Sequence, residues 1–139
     1  MKVSTTSTRL AAAFLPGVLV GRCPTREVLD HVMSRWAPLV LAALSDDEPL
    51  RWSELRRRVE GVSEKMLAQT LRTLEHDGLV FRDARPVVPP HVEYSLTPLG
   101  TELVAHLMPL LTWIVEHADG ILAERAGSSP LVSPASVRP

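Results

Sequence analysis

The sequence predicts a mostly α-helical fold with one small antiparallel β-hairpin. Apolar residues recur at helical spacing over most of the segment 24–125, and this spacing changes to alternation in two short runs after Gly78. The chain has 139 residues, of which 45% are hydrophobic and 22% charged, enough for one domain with a core. We expect that domain at residues 23–126, after an N-terminal arm or extra helix at 1–22 and before a disordered proline- and serine-rich tail at 127–139.

Four helices are expected in the first half of the chain. The first begins at Pro24, because proline suits the first helical turn. The second covers the apolar segment 36–44. The third and fourth span 53–60 and 63–77, and each begins at a serine, a preferred N-cap residue, and stops at the glycine that follows it. Only a two-residue break separates them, so a tight turn joins these two helices.

Two strands and a long helix complete the predicted order. The strands cover 79–82 and 92–96, which contain β-branched and aromatic residues in alternation. The loop 85–91 joins them and cannot lie inside a sheet, because it contains three prolines. A helix then runs over 97–125, with a kink expected at Pro109. This order of elements is that of a winged helix-turn-helix domain.

The fourth predicted helix has two chemically different sides. At 100° per residue, three leucines fall on one side. The opposite side, called here the polar face, carries Lys65, Gln69, Arg72 and His76. Such side chains can hydrogen-bond base edges or phosphates, and arginine can bind guanine bidentately. The pattern alone is typical of an ordinary surface helix, but the turn before it and the hairpin after it favour DNA contact by this face and by the N-cap residue Ser63.

Basic residues are concentrated in the middle of the chain. The net charge is −1, yet residues 51–85 contain eight basic and six acidic side chains. The third helix ends in three arginines, which either bind phosphate or form a solvated helix end. Two further arginines flank the predicted loop, where a basic wing can reach the minor groove or phosphates. The predicted phosphate contacts are Arg56, Arg57, Arg58, Arg82 and Arg85.

No residue pattern in the sequence is typical of catalysis or cofactor binding. It contains no glycine-rich phosphate loop, no His/Cys cluster with metal-ligand spacing and no identifiable catalytic constellation. His106 and His117 lie on the last helix near Glu102 and Glu116, but no motif fixes a coordination geometry, so a structural role is favoured. We expect no enzyme activity, no cofactor and no metal.

The N-terminal segment and the cysteine content indicate the compartment. A single cysteine excludes a disulfide framework within one chain and favours a reducing cytoplasm. The apolar run 10–20 resembles the core of a signal peptide, but Pro16 and Arg22 argue against that interpretation. The run is also too short to span a bilayer as a helix. We expect a cytoplasmic protein that does not bind membranes.

Several motifs between Cys23 and about Glu124 match those of a known family. They are Cys23-Pro24, Arg35-Trp36, Trp52-Ser53-Glu54-Leu55, GVSEKML at 61–67, LRTLEHDGLV at 71–80 and VPPHVEYSLTPLG at 88–100. In these motifs the chain resembles the HxlR-type winged helix-turn-helix transcriptional regulators. The resemblance implies a homodimeric bacterial transcription factor that binds a pseudo-palindromic operator in double-stranded DNA. The apolar N-terminal arm and the proline-serine tail depart from the family pattern.

Cys23 corresponds to a cysteine that senses oxidants or electrophiles in some members of that family. A helix N-terminus with Arg22 and Arg26 beside it favours the thiolate, which reactivity requires. Cys23 is therefore a candidate redox-sensing residue, and a buried cap without a signalling role is the alternative. A small-molecule effector is the other expected kind of signal.

The last predicted helix carries two apolar stripes, of which a single small domain can cover one. One stripe contains Leu103 and Leu107, and the other needs a partner subunit. The predicted subunit interface is formed by Val104, Met108, Leu111 and Val115. We therefore expect a dimer through the N- and C-terminal helices that acts as a sequence-specific repressor. The alternative is a winged-helix protein-interaction module without specific DNA binding, since the local excess of basic residues is modest.

Overall fold

A computed structural model of the chain describes residues 24–132, with side chains for residues 24–127. The elements are α1 (Pro24–Val32), α2 (Ala37–Ala43), β1 (Leu50–Arg51), α3 (Trp52–Arg58), α4 (Glu64–His76), β2 (Val80–Arg85), β3 (His91–Leu96) and α5 (Pro98–Val132). The predicted mostly α-helical class with an antiparallel hairpin is confirmed. The predicted N-terminal arm, Cys23 and residues 133–139 of the predicted tail lie outside the described residues.

The chain divides into two compact units, and the boundary falls between Thr101 and Glu102 inside α5. The first unit contains α1 to α4, the sheet and the first turn of α5. Its core is aliphatic, because each helix contributes leucine or valine at helical spacing. The largest fully buried side chains are Val40, Leu41, Leu44, Leu55, Leu67, Leu74 and Val80.

Local hydrogen bonds explain where α3 and α4 begin and end. The Ser63 hydroxyl accepts a hydrogen bond from the Met66 backbone N–H at 3.1 Å, which confirms Ser63 as the N-cap of α4. The helix stops before Gly78, whose φ of +78° lies in the left-handed region that favours glycine. The N-cap of α3 was predicted two residues too late. The backbone N–H of Arg51 donates to Glu54 Oε1 at 3.0 Å, so Arg51 and not Ser53 is the N-cap.

The sheet has three strands in the order β1-β3-β2, all antiparallel. The predicted hairpin is confirmed, but its strands are longer than predicted, and the loop between them shrinks to residues 86–90. Strand β1 was missed, because two residues cannot show a periodicity. Its residues Leu50 and Arg51 pair with Tyr94 and Glu93 in the middle of β3.

A compact joint connects the end of α4 to the start of α5. The Thr97 hydroxyl donates to the Gly78 carbonyl oxygen at 2.6 Å and accepts from the Gly100 N–H at 3.0 Å. The Thr97 N–H also donates to the Leu79 carbonyl oxygen at 3.1 Å. A Cβ on Gly100 would overlap that same oxygen and lie 3.0 Å from the Leu79 carbonyl carbon. Glycine is therefore required at position 100 by the close approach of the two backbones.

Helix α5 runs without a break through Pro109 and ends at Val132. It therefore extends six residues past the start of the predicted tail, which corrects that boundary. Within α5, Val104 and Leu107 are buried, at 6% and 4% exposure. The assignment of Val104 to the subunit interface is thereby corrected, because its side chain is already covered in the single chain. By length and composition alone, the stretch Pro98–Gly127 could also cross a membrane.

Candidate nucleic-acid interface

Helix α4 separates its leucines from its polar residues as the sequence predicts. Leu67 and Leu74 are fully buried and Leu71 is 2% exposed. The four residues of the polar face are all exposed. The buried leucine side fixes the rotation of the helix about its axis, so the polar face is held towards solvent.

The cations of the polar face are available to bind an anion. Within the part of the chain whose side chains are described, Lys65 and Arg72 form no ion pair. The same is true of two arginines outside the polar face, Arg57 in α3 and Arg82 in β2. An exposed guanidinium without an acidic partner presents its full fork of donors to a phosphate or a guanine edge. These four residues are therefore the strongest candidates for DNA contact.

Arg72 and Arg82 line one groove beside α4. The groove has a volume of 410 Å³, and its other lining residues are Trp52, Ala68, Leu71, Glu75 and Tyr94. Arg82 lies opposite Tyr94 in the strand register, and paired residues share a face of the sheet. Arg82 was predicted to flank the wing loop. It instead lies inside strand β2 and lines a groove with Arg72, so an anion in this groove can contact both guanidinium groups.

The arginine run at the end of α3 was predicted as one phosphate-binding segment, and the structure separates its members. Arg58 donates to Asp46 Oδ2 at 3.0 Å and to the Ala43 carbonyl oxygen. Arg56 pairs with Glu64 at 3.3 Å. Consecutive helical residues point about 100° apart, so three neighbours cannot face one phosphate. Of these three arginines, only Arg57 forms no ion pair with the described side chains.

Arg85 was predicted to belong to a basic wing, but in the structure it lies beside acidic side chains. Its guanidinium lies 3.5 Å from Asp83 Oδ2 and 3.4 Å from Glu93 Oε1. His91 Nε2 lies 2.9 Å from the second oxygen of Glu93. The close contact with His91 lowers the pKa of Glu93, and the charges of Arg85 and Arg51 lower it further, while partial desolvation opposes them. This part of the hairpin is a mixed charge cluster, which weakens its attraction to phosphate.

A contact between α1 and the end of α4 was not foreseen. His31 Nδ1 lies 2.7 Å from Asp77 Oδ2, and both side chains are largely shielded from solvent. The two residues are 46 positions apart, so no local pattern in the sequence can show the pair. Asp77 is the C-cap residue of α4, and the contact therefore fixes α1 against the helix that carries the polar face.

The histidines of α5 do not form a metal site in the described part of the structure. No group of three or more His, Cys, Asp or Glu side chains there could hold a metal ion. His117 stacks on Trp113 with ring centroids 4.4 Å apart, and its Nδ1 lies 2.8 Å from the Trp113 carbonyl oxygen. His117 is therefore engaged by its own helix.

The first unit has the architecture of a winged helix-turn-helix DNA-binding domain. Helices α3 and α4 are joined by a tight turn, a β-hairpin follows, and α4 exposes unpaired cations. Residues 31–121 match the sequence profile of the HxlR-like helix-turn-helix family. The chain belongs to this family.

Named relatives and solved structures agree with this assignment. YtfH of Escherichia coli strain K12, described as an uncharacterized HTH-type transcriptional regulator, is 55% identical over 104 residues, which are 75% of this chain and 82% of YtfH. The structure of the transcriptional regulator ytfH from Salmonella typhimurium superposes with a TM-score of 0.73 at 52% identity, covering 78% of this chain and 96% of that one. The redox regulator HypR in its reduced form gives a TM-score of 0.65 at 32% identity, covering 72% and 98%.

Family membership and fold together define the class of activity. The protein is a DNA-binding transcriptional regulator, and its family is one of regulators and not of enzymes. The resemblance seen in the sequence motifs is confirmed.

Proposed function

We propose that this regulator is a cytoplasmic repressor that binds a pseudo-palindromic operator as a homodimer and has no catalytic activity. Helix α4 enters the major groove, and its polar face contacts bases and phosphates. One observation carries this proposal: exposed Gln69 and Arg72 and the unpaired Lys65 lie on a helix whose other side is locked into the core. Two copies of α4 related by a twofold axis then read two half-sites about one helical turn of DNA apart.

Each side chain of this interface has a distinct task. Arg72 and Gln69 contact base edges, because arginine pairs bidentately with guanine and glutamine with adenine. Lys65 lies in the first turn of α4 and contacts phosphate. Arg82 shares the groove with Arg72 and contacts the DNA backbone beside the reading helix.

The test begins with DNA that co-purifies with the protein from its own genome, whose sequencing identifies the operator. Fluorescence anisotropy then measures operator affinity for wild type, Arg72→Ala and Arg58→Ala. Loss of a good base contact costs about 1–3 kcal/mol, so Arg72→Ala should raise the Kd roughly 5- to 150-fold.

Arg58→Ala is the matched control for this measurement. It removes the same charge from an arginine that already binds Asp46, and its operator affinity should stay close to that of wild type. Equal affinities of the two variants would contradict the assignment of the polar face. A shallow salt dependence without preference for the operator over random DNA would instead favour a protein-interaction module.

The dimer is proposed on the apolar surface that the single chain leaves exposed. In α5 this surface contains Met108, Leu110, Trp113, Ile114, Val115, Ile121 and Leu122. Val28 and Leu29 in α1 and Met33 just after it are also about half exposed. So much exposed apolar surface is unfavourable for a soluble monomer, and a second copy of the chain covers it. Light scattering without detergent tests this, since a monomer at micromolar concentration or a requirement for detergent would exclude the soluble dimer.

A thiol signal is proposed for Cys23, which precedes α1. HypR, solved in oxidized and reduced forms, supports such an input by its similarity to this chain. Peroxide converts a thiolate to sulfenic acid, which forms a disulfide with another thiol. We expect peroxide to weaken operator binding by wild type and to leave binding by Cys23→Ser unchanged. Equal responses of the two proteins would remove Cys23 from the regulatory mechanism.

A further inference from the structure

Helix α1 is held to the rest of the first unit by few side chains. Of its nine described residues only Val32 is buried, at 9% exposure, whereas α4 buries four of its side chains. Val28 and Leu29 of α1 lie open to solvent in the single chain. Segments with few buried apolar contacts are the ones that open at a low free-energy cost. The polar contacts of α1 therefore decide how firmly it is held.

The contact between His31 and Asp77 is a polar link between α1 and α4. His31 Nδ1 lies 2.7 Å from Asp77 Oδ2, and the two side chains are 29% and 14% exposed. The imidazole N–H donates this hydrogen bond and the carboxylate accepts it. A protonated ring adds the attraction of opposite charges, so the contact is stronger when His31 is charged than when it is neutral.

The charged groups that face His31 are carboxylates. Asp77 contacts it from α4, Asp30 lines the same open groove, and Glu27 lies one helical turn before it on α1. The remaining α4 side chains that line this groove are uncharged, and α2, which also packs against α1, contains no titratable residue. Arg35 stacks on the neighbouring tryptophan ring, 4.9 Å from its centroid. A proton on His31 therefore meets negative charge on both α1 and α4.

We propose that the His31–Asp77 pair is a pH-sensitive switch that positions α4 relative to α1 and thereby sets operator affinity. Histidine is the side chain whose ordinary charge change falls between about pH 5 and 8. With His31 protonated, an ion pair holds α1 on the end of α4. With His31 neutral, only Val32 and a weaker hydrogen bond hold it. Both members of the pair are positioning residues, because neither belongs to the polar face.

The switch reaches DNA through the subunit interface, and this step rests on the proposed function. In the proposed dimer the exposed Val28 and Leu29 pack against the second copy of the chain, so α1 connects each α4 to the interface. The two half-sites require one distance between the two α4 helices. A firmly held α1 keeps that distance constant, whereas a loosely held α1 must be ordered when DNA binds. Lower pH should therefore strengthen operator binding.

Amide hydrogen exchange of the full-length protein without DNA measures how firmly α1 is held. His31→Asn keeps a hydrogen-bond donor near the position of Nδ1 but cannot gain a charge. At about pH 6 its α1 amides should exchange about fivefold faster than those of wild type, with the middle of α4 unchanged, because a hydrogen bond between charged groups is replaced by a weaker one. Equal exchange of α1 in both proteins would overturn the switch.

His106→Asn is the matched control for the exchange measurement. It makes the same change at an exposed position of α5, and its α1 amides should exchange as those of wild type do. Faster exchange of α1 in this variant as well would overturn the assignment to His31.

The second measurement is operator affinity at about pH 6 and about pH 8, at constant ionic strength and in a His76→Gln background. This background is needed because His76 lies on the polar face and gains a charge that faces DNA as the pH falls. The Kd for the operator should rise about fivefold from the lower to the higher pH when His31 is present, and His31→Asn should lose this rise. Asp77→Asn removes the other charge and should lose the rise too, which keeps the test decisive if His31→Asn does not fold.

The two measurements separate the switch from the proposed function. An equal rise in Kd with and without His31 would overturn the role of the pair in DNA binding. Absence of operator binding at both pH values would refute the proposed function alone, because hydrogen exchange without DNA tests the hold on α1 separately.

Discussion

Gly100→Ala should destabilise the protein strongly, because position 100 has no room for a methyl group. The new Cβ overlaps the Leu79 carbonyl oxygen, a backbone atom that cannot rotate away. The start of α5 must therefore move away from the start of β2. That movement breaks or lengthens the hydrogen bonds of Thr97 to Gly78 and Gly100.

The expected cost follows from these contacts. Forcing an extra methyl group into a packed site costs about 1–3 kcal/mol, and loss of an N-cap costs about 1 kcal/mol. With one further hydrogen bond lost, the free energy of unfolding should fall by about 3–5 kcal/mol. This is a large share of the roughly 5–15 kcal/mol that stabilises a typical domain.

Gly120→Ala is the matched control, because it makes the same change further along the same helix. A Cβ at Gly120 meets nothing within 4 Å, so alanine there should raise stability by about 0.5–1 kcal/mol. Urea unfolding followed by circular dichroism, at one protomer concentration for all proteins, measures both changes. If Gly100→Ala unfolds at the same urea concentration as Gly120→Ala, the close approach of α5 to Leu79 is refuted.

Two further predictions concern the subunit interface and the charge cluster of the hairpin. Val115 is 76% exposed in the single chain, so Val115→Glu should give a folded monomer by light scattering. Val104→Glu changes a buried position and should instead lose helical circular dichroism. A dimeric Val115→Glu protein would show that the subunit interface does not include Val115. The pKa of Glu93 is lowered from its ordinary value of 4.5, so its stabilising effect is present above that pH and is lost as the pH falls through the lower folded-state pKa. Glu93→Gln should therefore lose less stability than wild type between neutral pH and acid, and parallel acid unfolding curves would contradict this.

The parts of the fold that the sequence could predict depend on local signals. Helix α4 is the clearest case, because its serine N-cap, its leucine spacing and its terminal glycine lie within 16 consecutive residues. The exposure of Lys65, Gln69 and Arg72 follows from the same spacing. Each of these features is fixed by neighbours along the chain, so periodicity and capping rules suffice.

The parts that the sequence could not predict depend on residues far apart in the chain. One example is the identity of the unpaired arginines. Arg58 and Arg85 pair with acidic residues 12 and 8 positions away, and a count of charges along the sequence cannot show which charges pair. The burial of Val104 is another, because both apolar stripes of α5 look alike in the sequence and only the folded chain distinguishes them.

Strand β1 has a consequence for how quickly the domain can engage DNA. Arg51 is both the last residue of β1 and the N-cap of α3, so no linker separates the sheet from the helix pair. The pairing of β1 with β3 then holds the hairpin and the two helices as one rigid piece. The distance between α4 and the hairpin residue Arg82 is therefore fixed when the chain folds. Binding to DNA then costs no conformational entropy for closing an internal hinge. Lengthening the 51–52 junction with flexible residues would restore that hinge and slow productive association.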